Sequence, residues 1–188
     1  ILIVVGHPDP SPDRLCRGLA KAYGEGAEKA GHAVRRVALA PLAFPLLRPL
    51  QAFEHGSVPD ELKGAAEAIV WAEHIVFVFP LWLGTMPAML KAFLEQVMRP
   101  GFALNDQASL GGGLLRGKSA TVVVTMGMPA AFYALWFRSH SVKSLERNVL
   151  RFVGIKPVHH ILYGAVEHSA AKREQWLDNM FVLGTGGG

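Results

Sequence analysis

The chain has 188 residues, of which 51% are hydrophobic and 18% charged, a balance that allows a sizeable core and argues against disorder. Its formal net charge is +4 and its basic residues are scattered, which disfavours nucleic-acid binding and is compatible with anionic ligands. The single cysteine, Cys16, excludes an internal disulfide framework. Because the chain also shows no leader-like segment and no apolar run of membrane length, we expect a cytoplasmic protein without membrane insertion.

The first forty residues predict a strand, a helix and a second strand. Residues 1–6 are apolar throughout and end in glycine, which is typical of a strand covered on both faces. Ser11 and Pro12 predict the N-cap and first turn of a helix that stops at Gly31. Residues 32–40 predict a second strand, which is more polar and therefore closer to an edge of the sheet.

The middle of the chain predicts two helices around the most apolar strand. Residues 41–58 contain three prolines and little periodicity, so they read as a long loop before a helix around residues 62–69. Residues 74–79 predict the third strand, and residues 86–97 predict the helix that follows it. The irregular, glycine-rich segment 99–118 is the best candidate for a mobile flap.

The last third predicts two further strands and two helices. A strand is expected at residues 119–127, a helix at residues 142–152 and a fifth strand at residues 156–164. A final helix capped by Ser169 should run to about Leu183, and the glycine-rich residues 184–188 should form a flexible tail.

This alternation of strands and helices favours an α/β fold with a parallel sheet. Five strands leave no room for a second nucleotide-binding half, so we predict a single flavodoxin-like domain over residues 1–183, a three-layer sandwich with strand order 2-1-3-4-5. In such sheets ligands bind beyond the carboxyl ends of the strands, where strands 1 and 3 diverge. The loops at residues 6–14, 80–86 and 125–140 should meet there.

The first of these loops, "GHPDPSPDR", lacks both common glycine-rich phosphate motifs. It offers instead a helix N-terminus capped by Ser11, with His7 and Arg14 beside it, a combination that suits a phosphate. Ordinary helix capping with a surface arginine explains the same residues equally well.

The second loop, "FPLWLGTMPAML", places a large indole immediately after a core strand. Trp82 and Leu83 could form an apolar wall for a planar ring, and Gly84 would allow close approach of the backbone. For an isolated tryptophan, the alternative that Trp82 only covers the core is favoured.

The third loop carries more aromatic residues than one helix face can bury, namely Phe132, Tyr133, Trp136 and Phe137. They indicate a second apolar surface, such as a ligand site or an interface. Tyr133 and His140 are the groups near the predicted cleft that could transfer a proton, although a histidine in this position is more often structural. Metal-hydrolase and nucleophile-elbow motifs are absent from the sequence.

Three segments carry a resemblance to the NAD(P)H:quinone oxidoreductase family of flavodoxin-like flavoproteins: "GHPDPS", "FPLWLGTMPAMLKAFLEQVMRPGFAL" and "TMGMPAAFY". The resemblance implies a bound flavin, FAD or FMN, which the sequence does not distinguish. It also implies NAD(P)H as co-substrate, a quinone-like acceptor, and a homodimer with the site at the subunit interface.

The same resemblance assigns site residues. The residues that would bind the flavin come from all three loops: His7, Ser11, Arg14, Pro80, Leu81, Trp82, Leu83, Gly84, Thr125, Met126, Gly127 and Met128. Tyr133 matches a tyrosine beside the O2/N1 edge of the flavin. His140 matches an active-site histidine if the alignment slips by one residue, whereas Ser139 occupies the unslipped position. Leu104 replaces a substrate-pocket tyrosine of some members.

The reaction implied by the resemblance is ping-pong transfer of a hydride from NAD(P)H through flavin N5 to the acceptor. Some relatives are instead ancillary regulatory subunits of potassium efflux systems, which is the alternative function for this chain. A flavodoxin-like electron carrier fits less well, because such carriers are strongly acidic and this chain is basic.

Overall fold

A five-stranded parallel sheet forms the centre of the computed structural model, which describes residues 1–104 and 113–187. The sheet order is β2-β1-β3-β4-β5, which confirms the predicted flavodoxin-like topology. The strands are β1 (Leu2–Val5), β2 (Arg35–Ala38), β3 (His74–Pro80), β4 (Ser119–Thr125) and β5 (Val158–Tyr163).

Helices cover both faces of this sheet and complete the three layers. The helices are α1 (Leu15–Lys29), α2 (Leu50–His55), α3 (Asp60–Trp71), α4 (Ala88–Val97), α5 (Ala130–Leu135), α6 (His140–Ser144) and α7 (Ala170–Thr185). A π-helical segment, Leu145–Leu150, continues α6. One core contains apolar side chains of α3, α4 and the π-helical segment, and the other contains those of α1 and α7.

The two longest strands fix the position of the site. All seven residues of β3 are buried, as expected for a parallel strand with helices on both faces. β3 and β4 are paired along their whole lengths, so Pro80 lies beside Thr125 where both strands end. The loops that follow these strands therefore leave the sheet side by side.

The predicted start of α1 at Ser11 and Pro12 is wrong, because the helix begins at Leu15. The Asp9 carboxylate organises the preceding residues differently: its Oδ1 accepts a hydrogen bond from the Ser11 backbone N–H at 2.8 Å. Arg14 occupies the N-cap position, and it forms no side-chain capping hydrogen bond there.

The predicted long loop at residues 41–58 contains a helix, α2, which has no buried residue and therefore no clear hydrophobic period. A buried arginine holds it in place: Arg99 donates hydrogen bonds to the carbonyl oxygens of Ala52 and Ser57, each at 2.9 Å. Residues 105–112 of the predicted flap lie outside the described residues. At the described ends of this segment, Leu104 forms an antiparallel bridge with Gly113.

α7 continues through Gly184 and Thr185, so these two residues do not belong to a flexible tail. The reason is the close packing of α7 on α1, where a Cβ atom at Gly184 would lie 2.1 Å from the carbonyl oxygen of Tyr23. In the parts of the chain that the structure describes, a helix with the length and hydrophobicity needed to cross a membrane is not found.

Candidate active site

The three predicted loops meet at the carboxyl edge of the sheet around a cavity of about 350 Å³. Of the residues predicted to bind a cofactor, eight line it: His7, Arg14, Pro80, Leu81, Trp82, Thr125, Met126 and Gly127. A larger cavity of about 810 Å³ lies beside α2 and Gly101. None of the loops after β1, β3 and β4 contributes described residues to that larger cavity, so its size alone does not identify a site.

Asp9 is the centre of the loop after β1. Its carboxylate Oδ2 accepts a hydrogen bond from Arg14 Nε at 2.7 Å, and the two side chains form an ion pair. Its backbone N–H donates to His7 Nδ1 at 3.1 Å. Because Nδ1 accepts this bond, the proton of a neutral His7 resides on Nε2. Hydrogen bonding to the Ser11 N–H, followed by the contact with Arg14, lowers the pKa of Asp9.

His7 presents a neutral ring to the cavity. Its pKa is lowered mainly by burial. The nearby Asp9 carboxylate acts to raise this pKa, whereas the charges of Arg14 and Arg17 act to lower it. The His7 ring lies edge-on to Trp82, with 5.9 Å between ring centroids and an interplanar angle of 80°. His7 therefore offers an Nε2–H donor rather than a full positive charge.

The N-terminus of α1 adds backbone donors to the same wall. The first helical hydrogen bond is donated by the Arg17 N–H to the Arg14 carbonyl, at 2.8 Å. The N–H groups of Leu15 and Cys16 precede it and lack partners within the helix, and both residues line the cavity. Such a helix terminus favours an anion. The described wall also contains two carboxylates, those of Asp13 and Glu167.

The loop after β3 projects Trp82 away from the core. Trp82 and Thr85 exchange backbone hydrogen bonds of 2.8 and 3.0 Å, which closes a tight turn over Leu83 and Gly84. Both central residues have positive φ, 48° and 78°, as a type I′ turn requires. Leu83 is fully exposed and Trp82 is 48% exposed. The alternative that Trp82 only covers the core is therefore wrong: the indole is half-exposed and forms part of the cavity wall.

Cys16 also lines the cavity, although the sequence indicated for it only the absence of an internal disulfide. The Sγ atom of Cys16 lies 3.2 Å from Thr125 Oγ1, and burial raises the pKa of this thiol to about 11. The thiol therefore stays protonated and packs as a small side chain. Sequence reasoning also missed Val166 and Glu167, which reach the cavity from the loop after β5. Their position after a strand end was the available signal.

The structure does not bring the predicted proton-transfer residues to this cavity. Tyr133 is 1% exposed, and its hydroxyl lies 2.6 Å from Ser141 Oγ. His140 is exposed at the start of α6, and Ser139 before it is buried with a φ of 50°. Neither Tyr133 nor His140 belongs to the described lining. Ser141, which the sequence gave no reason to select, is the residue that contacts the tyrosine hydroxyl.

Four other cofactor-binding predictions also fall outside the described lining, namely Ser11, Leu83, Gly84 and Met128. Leu83 and Gly84 form the exposed tip of the turn after β3, and a Cβ atom at Gly84 would meet open space. Ser11 donates its backbone N–H to Asp9. Met128 is partly buried against the core. Their contact with a cofactor stays a prediction.

The aromatic residues after β4 form the exposed apolar surface that their number predicted. We call it the α5 patch and define it as Phe132, Leu135, Trp136 and Phe137, all of which are exposed. The rings of Phe132 and Trp136 are stacked, with centroids 6.2 Å apart and an interplanar angle of 6°. Exposed apolar groups of this size are typical of interaction surfaces.

Comparison with known proteins agrees with this architecture. A family model described as the flavodoxin-like fold matches residues 1–181, so the chain belongs to this family. A relative from Haemophilus influenzae, an uncharacterised NAD(P)H oxidoreductase, is 28% identical over 169 residues, which cover 88% of this chain and 83% of the relative. The resemblance found in the sequence is thereby confirmed.

A second relative carries a different function. It is a glutathione-regulated potassium-efflux system ancillary protein from Serratia proteamaculans, 35% identical over 98 residues. The matched region covers 47% of this chain and 51% of that relative. The match therefore extends over about half of each protein.

Two solved structures share the fold. The NAD(P)H:quinone oxidoreductase from Methanothermobacter marburgensis superposes with a TM-score of 0.82 and 24% identity, over 98% of this chain and 95% of that one. An FMN-dependent NADH-azoreductase from Bacillus anthracis, solved in complex with FMN, superposes with a TM-score of 0.74 and 18% identity, over 99% and 96%. At these identities the likeness shows the fold.

Proposed function

We propose that the protein is a flavin-dependent NAD(P)H:quinone oxidoreductase whose flavin binds in the cavity between the loops that follow β1, β3 and β4. The observation that carries this proposal is the convergence, on one small cavity, of a half-exposed Trp82 with the donor groups of His7 and the α1 N-terminus. The names of the Haemophilus relative and of the Methanothermobacter structure support the reaction class.

The donor groups around this cavity fit the phosphate end of a flavin. His7 Nε2–H, the first N–H groups of α1 and the Arg14 guanidinium could all donate to phosphate oxygens. Arg14 is already paired with Asp9, so an incoming phosphate would share or replace that carboxylate. We favour FMN over FAD, because the similar azoreductase structure contains FMN.

The ring end of the flavin fits the opposite part of the wall. Trp82 offers an aromatic surface. The preceding residues, Pro80 and Leu81, are held in place by a hydrogen bond of 2.8 Å from the Leu81 N–H to the Thr125 carbonyl oxygen. Residues 125–127 lie alongside and could contact the polar edge of the ring through their backbone. A bound flavin would supply two-electron chemistry in separate half-reactions with NAD(P)H and the acceptor.

We further propose that the protein acts as a cytoplasmic homodimer in which the α5 patch is covered by a second copy. The support is the exposure of the patch, with Trp136 at 75%, and its place in the loop next to the candidate site. Along the chain, Tyr133 lies within the segment that forms this patch, and His140 follows it. Their catalytic roles remain proposals, and dimer formation is the condition under which His140 would enter a site.

A regulatory flavoprotein is the second candidate function, and the relative from Serratia supports it. The two functions differ in what they require of the bound flavin. An oxidoreductase must turn over many equivalents of NAD(P)H with a soluble quinone, whereas a regulatory subunit needs only to bind flavin and a transporter.

Absorbance of the purified protein, followed by mass analysis of the released cofactor, tests flavin binding. Steady-state oxidation of NADH and NADPH with a quinone then tests the reaction. Trp82→Ala should weaken FMN binding, while Trp71→Ala serves as the matched control because Trp71 packs on Arg35 instead, with 4.4 Å between the guanidinium carbon and the ring centroid. Failure to bind either flavin contradicts both functions, and stoichiometric flavin without turnover contradicts the oxidoreductase alone.

A further inference from the structure

Two arginines hold Asp9 in the loop after β1, and they do so in different ways. Arg14 pairs with the Asp9 carboxylate and lines the cavity of about 350 Å³ around which the candidate site is built, which we call the first cavity. Arg17 is half-buried and is not among the described residues that line this cavity. Its Nη2 donates a hydrogen bond of 3.2 Å to the Asp9 backbone carbonyl. One arginine therefore contacts the side chain of Asp9 and the other its main chain.

The position of Arg17 is unfavourable for an ordinary surface arginine. Arg17 is the third residue of α1, and the first turn of this helix, which the structure describes fully, contains no acidic residue. Because the N-terminus of a helix carries a partial positive charge, a cation in this turn destabilises the helix. Within the described part of the chain, the buried Arg17 Nε also has no hydrogen-bond partner. A guanidinium kept here for a bond to one carbonyl indicates that this bond has a function.

The Asp9 main chain connects Arg17 to the histidine of the site. The Asp9 carbonyl accepts the bond from Arg17, and the Asp9 N–H donates to His7 Nδ1 at 3.1 Å. A neutral imidazole carries one proton, so a bond accepted at Nδ1 places that proton on Nε2. The hold on Asp9 therefore selects the form of His7 that offers an Nε2–H donor.

The charges around His7 also distinguish the two arginines. Arg14 and Arg17 both act to lower the pKa of His7, and the Asp9 carboxylate acts to raise it. Three further titratable residues belong to the described cavity wall, namely Asp13, Cys16 and Glu167. Arg14 must leave or share the Asp9 carboxylate when a phosphate enters, because it is already paired there. Arg17 lies outside the described lining, so its bond to Asp9 can persist during this exchange.

We propose that Arg17 is a positioning residue of the first cavity: it holds the Asp9 main chain so that His7 keeps its proton on Nε2 while Arg14 exchanges the Asp9 carboxylate for a phosphate. The identity of this phosphate, as that of a flavin, rests on the proposed function. The effect of Arg17 on His7 does not, because it is a property of the chain without a ligand.

Nitrogen NMR of the 188-residue chain, isotopically labelled at histidine and freed of any bound cofactor, reports the tautomer and the titration of each ring. The His7 signals are assigned by their loss in His7→Gln. The parent protein should show the Nε2–H tautomer of His7. Arg17→Met should show a mixture of both tautomers and a raised His7 pKa, because the hold on Asp9 and the nearby charge are both lost. Arg17→Lys keeps the charge without the planar guanidinium, so it should restore the titration but not the single tautomer.

Two control variants separate the hold on the Asp9 main chain from other contacts near the cavity. Arg173→Met removes the same kind of bond from the loop after β5, where Arg173 Nη1 donates to the Val166 carbonyl at 2.9 Å. Asp9→Asn removes the ion pair with Arg14 but keeps the backbone N–H and carbonyl of residue 9. His7 should keep the Nε2–H tautomer in both variants.

Titrations with FMN connect the His7 tautomer to ligand binding. At about pH 8, Arg17→Met should bind FMN about two- to tenfold more weakly than the parent, because a fraction of the His7 rings lacks a proton on Nε2. The ratio of the two affinities should shrink towards about pH 6, since a protonated ring carries protons on both nitrogens. Ionisation of the FMN phosphate is common to both proteins and cancels in this ratio.

Three results would overturn the inference while leaving flavin binding intact. The first is an Nδ1–H tautomer of His7 in the parent protein. The second is a His7 tautomer that is unchanged in both Arg17→Met and Arg17→Lys, or that changes equally in Arg173→Met. The third is a ratio of FMN affinities that does not depend on pH. Absence of FMN binding in the parent and in every variant contradicts the proposed function instead, and the His7 signals then decide the role of Arg17 alone.

Discussion

The two sides of Trp82 have opposite chemistry. On the side of the first cavity the wall is polar, with His7, Asp13 and Arg14 and the N-terminus of α1. On the other side, a second cavity of about 470 Å³ lies between the β3–α4 loop and α6, and its described wall is apolar apart from the paired Lys91 and the hydroxyl-bearing residues Thr85, Ser141 and Ser144. One indole thus separates a place suited to an anion from a place suited to a neutral ring. The contrast places a polar and an apolar surface on opposite sides of one side chain.

Removal of the Arg14 charge should have the largest effect on this contrast. Arg14→Ala should weaken FMN binding by about 1.5–3 kcal/mol, the range for a hydrogen bond that involves a charged group. Fluorescence titration of FMN against each variant measures this effect, with Arg173→Ala as control, because Arg173 donates instead to the Val166 carbonyl at 2.9 Å. Equal FMN affinities in the Arg14→Ala and Arg173→Ala variants would show that Arg14 does not bind the phosphate of the flavin.

Removal of the indole should have a smaller effect on flavin binding. Trp82→Ala should weaken FMN binding by about 1 kcal/mol, the order of magnitude for one aromatic contact. Trp82→Phe should recover part of this affinity. Titration of the Trp71→Ala variant provides the comparison, and equal FMN affinities in the two alanine variants would show that Trp82 does not contact the flavin.

The Tyr133–Ser141 pair offers a smaller test that separates structure from chemistry. Tyr133→Phe should lower the free energy of unfolding by about 1 kcal/mol, because a buried hydrogen bond is lost while the ring packing is kept. Urea unfolding followed by circular dichroism measures this change. If Tyr133 also acts in the proposed reaction, stopped-flow reduction of the flavin should slow more than FMN affinity falls. An unchanged reduction rate would assign Tyr133 a structural role only.

The smallest effect is expected from Asp9, which competes with a phosphate for Arg14. Asp9→Asn retains an oxygen that accepts the Ser11 N–H but releases the arginine, so FMN affinity should rise about two- to fivefold at low salt. This gain should shrink as salt is added. An affinity that falls in the variant would mean that the Asp9–Arg14 pair positions the arginine for the phosphate.

Asp9 also predicts a dependence of stability on pH. Its pKa in the folded protein is lowered below the ordinary value of 3.8 by the Ser11 N–H and by Arg14. The resulting stabilisation is present above that ordinary value and is lost as pH falls through the lowered pKa. Thermal unfolding between pH 5 and about pH 2 should therefore decline less steeply in Asp9→Asn than in the parent protein.

The residues on the polar side of Trp82 were easier to predict from the sequence than those on its apolar side. Alternation of apolar runs and amphipathic helices predicts a doubly wound sheet, and the count of five strands favours the observed order. The edge where the loops converge follows from that order, so His7, Arg14 and Trp82 could be placed together. The start of α1 could not be predicted correctly, because the Asp9 side chain, two residues before Ser11, accepts the Ser11 N–H and overrides the Ser-Pro capping signal.

The apolar side depends on tertiary contacts that have no local signature. Ser141 lies eight residues after Tyr133, and only the turn between α5 and α6 brings the two hydroxyls together. A π-helical segment then shifts the lining residues away from the ordinary helical period. Gly184 is a similar case: it resembles a tail residue in sequence but packs against the α1 backbone.

The most direct measurement is a titration of the purified protein, freed of any bound cofactor, with FMN, followed by tryptophan fluorescence in the parent protein and in Trp82→Phe. A flavin site beside Trp82 predicts one FMN per chain, quenching of tryptophan emission, and loss of a large part of that quenching in the variant. It also predicts no effect from the Trp71→Phe control. Binding of neither FMN nor FAD, or quenching that is identical in Trp82→Phe, would contradict the assignment of the cavity beside Trp82 as a flavin site.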